Sequence, residues 1–312
     1  MTPSSINDTY SQIIEWYDRG QYHTAYQVGT DAWGPIEQWS GVAGRLIAGR
    51  LAHNLGGQRW GRLCHLRLCQ EHPDHPELLF YKYLLMLSYQ GPLETWRRMA
   101  FEGLPENLSP NMQVELLSLR SQVFTSLRDF SAAERDVEHA LQLVPDHVWV
   151  LVERHSLLAA MDRREEALSA TARALEVRPF YRPAVQLHAY QLMQLNRDEE
   201  AEALLRQAAV HNQSGDLWSQ LAAFYSETRR FDLVAECLDK AQSLYLLLDR
   251  DKTLRRWLAS RRSELAYRRG DYAEAIRLAE QIDSPYYRSI VKSLREAMER
   301  PADETRDVLL DV

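Results

Sequence analysis

Pro145 and Pro179 lie 34 residues apart, and each ends an alanine-bearing amphipathic segment, ERDVEHALQLVPDH and LSATARALEVRPFY. Laid in a 34-residue frame, small residues superpose: Ala133 with Ala167 and Ala201, and Ala140 with Ala174 and Ala208. Within one frame, Trp218, Leu221, Ala222 and Tyr225 share one side of a first helix. After the polar break SETRR, Phe231, Val234, Leu238 and Ala241 share one side of a second. A helix–turn–helix unit cannot bury its apolar face alone, so a fixed period of this length means stacked units. The expected fold is all-α: a solenoid of about eight helical hairpins.

The frame extends in both directions. Units are expected at about 6–39, 42–75, 76–113, 114–147, 148–181, 182–214, 215–248 and 256–287. Gly49 and Gly61 take the two small positions of the second unit, and the loop EGLPENLSP lengthens the third. A capping helix is expected at 285–299, with Ser284 before it and Pro285 in its first turn. The repeat domain would then span 1–299 and leave a tail at 300–312.

Trp218, Leu221, Ala222 and Tyr225 resemble the first-helix pattern W-x-x-L-G-x-x-Y of tetratricopeptide repeats, with alanine for glycine. Ala167 with Ala174, and Ala275 with Ala279, resemble the small residues of that family's second helix. The resemblance implies a right-handed stack, a scaffold that takes a protein or peptide in its concave groove. Some members grip a C-terminal carboxylate with lysines and asparagines, but Glu115, Ser118, Trp149 and Val152 stand at those places.

Composition narrows the partners. The 312 residues carry a net charge of -7, from 37 basic and 44 acidic side chains, which argues against a general polyanion binder. No nucleic acid partner is therefore expected. Three cysteines, Cys64, Cys69 and Cys237, make no disulfide framework. The start, MTPSSINDTYSQIIEWYDRG, lacks a basic region followed by an apolar core. The apolar runs YLLMLSY and LYLLL are too short to span a bilayer. These features lead to the expectation of a cytoplasmic protein without membrane contact.

Catalytic and metal chemistry find little support. Cys64, His65, Cys69, His72 and His75 are residue types that zinc prefers, but their spacing matches no common zinc module. The glycines of GVAGRLIAGRLAHNLGGQRWGR are spread over two helices, without the strand and GK[ST] of a phosphate loop. No histidine neighbours Cys237 as a base would, and Glu165–Glu166 and Glu199–Glu200 suit the starts of second helices. The expectation is a protein that is not an enzyme, with no cofactor and no metal.

Binding residues follow from helix spacing. First helices line the concave side of such a stack, which places Tyr10, Ile14 and Tyr17, then Phe80 and Leu84, on that side. The candidate partner-binding residues are Arg50, His53, Gln122, Trp149, Gln186, Tyr190, Met193, Ser219, Trp257 and Tyr267. Aromatic anchors beside amides and hydroxyls suit an extended peptide or a partner helix. A second reading rests on the end of the chain. There DVLLDV resembles the entry strand of papain-like, double-glycine-type peptidase domains that follow helical repeats in some bacterial proteins. In that case the repeats would recruit substrate for a larger cysteine peptidase.

Overall fold

A computed structural model describes residues 3–299 apart from Leu104, Glu106 and Asn107. Residues 300–312, where the extended end DVLLDV falls, lie outside the described residues. Among the described residues, seventeen α-helices form eight hairpins and a final helix. The hairpins are α1 (Pro3–Asp18) with α2 (Tyr22–Trp33), α3 (Gly41–Asn54) with α4 (Gln58–Glu71), and α5 (Leu79–Gln90) with α6 (Pro92–Glu102). Next come α7 (Pro110–Ser126) with α8 (Phe130–Leu143), α9 (Val148–Ala160) with α10 (Arg164–Val177), and α11 (Arg182–Gln194) with α12 (Asp198–His211). The last two are α13 (Gly215–Glu227) with α14 (Phe231–Leu244), and α15 (Lys252–Arg268) with α16 (Tyr272–Glu280); α17 (Pro285–Glu299) follows. The architecture is an all-α solenoid of tetratricopeptide-like hairpins closed by a terminal helix. No described helix is long and apolar enough to cross a membrane.

Seven of the eight hairpins turn in the same way, and the third, α5–α6, turns through Gly91 alone. The second residue after the first helix takes a left-handed backbone at Gly20, Gly56, Arg128, Asp162, Asn196, Arg229 and Gly270. The next amide reaches back five residues, as in Gln21 to the Trp16 carbonyl (2.9 Å) and Arg163 to that of Leu158 (2.9 Å). This pairing satisfies carbonyls that a helix end leaves open, and it reverses the chain in three residues. Side-chain caps then start several helices. The Asp129 carboxylate accepts from the Ala132 amide at 3.1 Å, and that of Asp271 from Glu274 at 3.1 Å.

Where the two helices of a hairpin cross, one pair of small or hydrogen-bonding residues sits twelve positions apart. Ser121 Oγ donates to the Ala133 carbonyl at 3.2 Å, and Ser263 Oγ to that of Ala275 at 2.8 Å. A His155 ring nitrogen, Nδ1, is 2.8 Å from the Ala167 carbonyl. Gly49 and Gly61 form the tightest pair: a Cβ on Gly61 would stand 2.6 Å from the Gly49 carbonyl oxygen. Ala133, Ala167, Ala201 and Ala275 are all 0% exposed at this crossing.

From hairpin 4 onward the period slips once. Hairpins 4 to 7 are joined by three or four residues (144–147, 178–181, 212–214), whereas α14 and α15 are joined by seven, 245–251. This longer linker touches the other end of the chain. Leu247 is 4% exposed and packs into the core of hairpins 1 and 2, beside Ile13, Tyr22, Leu51 and Leu55. Its amide donates to the Leu55 carbonyl at 2.8 Å. Asp251 caps α15 through Thr253 and Leu254, and it also accepts from the Arg59 amide at 2.9 Å. The Tyr245 ring lies between Gly56 and Gly215, where any Cβ would stand 2.6 Å from a Tyr245 carbon. Further contacts run along the same edge. Gln21 Nε2 donates to the His211 carbonyl (2.7 Å), and His23 Nε2 lies 2.9 Å from that of Leu244. Arg178 sits 3.5 Å from Asp18, and Arg250 pairs with Glu37. The superhelix thus closes on itself, with hairpins 1 and 2 resting on the turns of hairpins 5 to 7.

Replacing Gly61 with Ala, or Ala201 with Leu, adds volume where helices already touch. Each change should lower stability by about 1–3 kcal/mol. Gly61→Ala should do so although alanine is the better helix former by about 1 kcal/mol. Chemical denaturation that places either variant at or above the wild type would contradict this crossing.

Candidate inner-face binding site

The closure divides the inner face into a covered part and an open part. Arg50 and His53 belong to the covered part. The Arg50 guanidinium donates to the Tyr81 hydroxyl and lies over that ring, 5.5 Å from its centroid. His53 stacks on His65 at 5.8 Å, and burial with nearby Arg62 and Arg182 pushes its pKa down to about 4. His65, 3% exposed, is pushed down to about 3 by burial and by His53, and its Nε2 is 3.3 Å from the Leu46 carbonyl. Both imidazoles are therefore neutral at pH 7.

A polar chain absent from the candidate set runs beneath the closure. Arg182 pairs with Asp216 at 2.8 Å, and Asp216 accepts from the Tyr245 hydroxyl at 2.9 Å. Ser219, which was in the set, shares that hydroxyl at 3.0 Å. The Arg182 guanidinium also lies near Tyr22 from hairpin 1. Gln186 is tied to the same region: its Oε1 accepts from Arg182 at 3.2 Å, and its carbonyl accepts from Gln220 at 3.0 Å. Tyr245 escapes periodic reading because it sits in the segment where the period slips.

The remaining candidates scatter along the solenoid. Gln122 is half-buried on α7, with its carbonyl accepting from Ser126 at 2.9 Å. Trp149 is half-buried beside Tyr181 and Leu175, and its Nε1 has no protein partner. Met193 packs against the core of hairpins 6 and 7. Tyr267 packs on Tyr272 with the rings tilted and 5.7 Å apart, in the cluster under α17. Tyr190 projects furthest, at 53% exposure.

Ser219 and Trp257 meet in a cleft of about 200 Å³ between α13 and α15. Ser226, Arg261, Glu264 and Arg268 complete its polar wall, and Ala222, Val234 and Leu238 form its floor. Glu264 holds both arginines, Arg261 at 2.7 Å and Arg268 at 2.8 Å. Arg261 lies 5.9 Å from the Trp257 ring centroid. Trp257, Arg261, Glu264 and Arg268 follow one helix face at steps of four, three and four. Arg261, Glu264 and Arg268 were thus readable from spacing once Trp257 was chosen.

The cysteines and histidines of α4 and the turn after it do not converge on one point. His65 is occupied as described, Cys69 Sγ contacts the Leu78 carbonyl at 3.7 Å, and His72 is exposed. Among the described residues no group of three or more His, Cys, Asp or Glu is placed to hold a metal ion. The three cysteines are free, and burial pushes the Cys237 thiol up to about 11.

One buried acid gives this region a pH signature. Glu153 on α9 is 5% exposed, and burial alone raises its pKa from 4.5 to about 8. Its folded-state pKa lies above the unfolded value, so its contribution is fully present below pH 4.5 and is lost as pH rises through about 8. Between those limits the loss runs at up to about 1.4 kcal/mol per pH unit. Glu153→Gln, uncharged throughout, should therefore gain more stability over wild type at pH 8 than at pH 5. Equal gains or losses at both values, in thermal melts, would contradict a proton held by burial.

No protein-family model matches the chain. No curated protein matches it either. Solved structures show the likeness. The human IFIT1 dimer with PPP-AAAA aligns over 90% of this chain and 70% of that one, at 12% identity and TM-score 0.58. The APC/C hetero-tetramer Cut9–Hcn1 aligns over 89% of this chain and 54% of that one, at 10% identity and TM-score 0.58. PilW, a type IV pilus biogenesis factor, aligns over 69% of this chain and 98% of that one, at 15% identity and TM-score 0.51. At these identities the likeness is one of fold.

Proposed function

We propose that this chain is a non-catalytic scaffold that binds an extended peptide, or an extended segment of a protein partner, along the open inner face of α11, α13 and α15. The cleft between α13 and α15 carries this reading. It joins an aromatic side chain, Trp257, to the hydroxyls of Ser219 and Ser226 and to a rail of alternating charge, Arg261, Glu264 and Arg268. An extended peptide presents side chains and unpaired backbone groups together, and such a surface can meet both. Tyr190 on α11 adds an exposed ring that gains by being covered. The three free cysteines support a reducing compartment, and we place the partnership in the cytoplasm.

A displayed random-peptide library selected against the wild-type chain tests the reading directly. Selected peptides should bind Tyr190→Ala or Trp257→Ala at least tenfold more weakly, because a truncated aromatic anchor costs about 2 kcal/mol or more. The outer-face double variant Glu199→Ala with Glu200→Ala should bind them as the wild type does. Peptides that lose the outer-face variant and keep Tyr190→Ala would move the site to the convex side.

A further inference from the structure

The contact between the two ends of the solenoid differs in kind from the packing inside it. Successive hairpins bury continuous apolar seams, whereas hairpins 1 and 2 meet hairpins 5 to 7 mostly through turns and polar groups. Gln21 reaches the His211 carbonyl, His23 that of Leu244, Arg178 that of Tyr17, and Arg250 pairs with Glu37. Such groups find water when separated, so parting them is far less costly than parting a core. Beneath this edge, Arg182 Nε and Asn212 Oδ1 are buried without a protein partner. Besides the Tyr245 ring against Gly56, one apolar side chain, Leu247, crosses the boundary into the other core. It comes from the linker that is longer than its siblings in hairpins 4 to 7.

We infer that residues 245–251 form a releasable clasp that holds hairpins 1 and 2 over the N-terminal ends of α11 and α13. Release uncovers Tyr181, Arg182, Asp216 and Tyr245, which extends the open inner face towards the start of the chain. Polar contacts between units of one chain permit the units to move relative to each other. Hairpin 3, with helices of 12 and 11 residues, links hairpins 1 and 2 to the rest of the stack. The added reach for a partner rests on the proposed inner-face site, but the clasp itself needs no partner. The two can therefore fail separately.

Hydrogen exchange on the full chain without ligand reads the clasp. The Leu247 amide, bonded to Leu55, reports closure, as does the Arg59 amide bonded to Asp251. Leu247→Ser should speed exchange at least tenfold in segments 54–59 and 245–251, while α9 and α10 exchange as before. Arg250→Glu, at an exposed pair, should speed the same two segments about threefold, and the swap Glu37→Arg with Arg250→Glu should restore them. If Leu247→Ser melts α1–α4, the charge series decides. Faster exchange confined to the two segments and reversed by the swap supports the clasp, and no change in Arg250→Glu overturns it.

Discussion

How near the two helices of a hairpin can come controls this structure. At the crossing the distance is set by residues twelve apart, from Gly49 over Gly61 to Ser263 over Ala275. A serine or histidine there still allows approach, because its polar atom bonds the facing carbonyl instead of pushing it away. Repeated down the chain, this spacing fixes the angle between hairpins and so the curvature of the stack. Without it, first helices would not converge on one inner face.

That curvature brings the chain back upon itself. Hairpins 1 and 2 arrive over the turns that precede α11, α13 and α15, and the linker 245–251 fills the meeting point. Tyr245 serves both sides: its ring fits between two glycines, and its hydroxyl joins Asp216 and Ser219. The functional consequence is a divided groove. Its early part holds Arg50 and His53 in internal contacts, and its later part offers Tyr190, Trp257 and the charged rail of α15 to solvent.

Helix by helix, the fold was legible because small residues recur at a fixed spacing, and a spacing is visible in one sequence. The inner-face positions were legible for the same reason, since helical periodicity tells which side a residue takes. Whether an inner-face residue is covered was not legible. Arg50 has a local signature like that of Trp257, yet Tyr81 of the next hairpin takes up its guanidinium, and Ser219 meets Tyr245 from the linker where the period slips. The run LYLLL read only as an apolar stretch too short for a membrane. Its role as the contact to Leu55, some 190 positions earlier, depends on the curvature of the whole stack.

Closure of the superhelix is the central claim, and small-angle X-ray scattering of the wild-type chain in solution tests it most directly. The account predicts a profile that matches the closed arrangement, with hairpins 1 and 2 seated on hairpins 5 to 7. A profile fitted only by an elongated, open superhelix would contradict it.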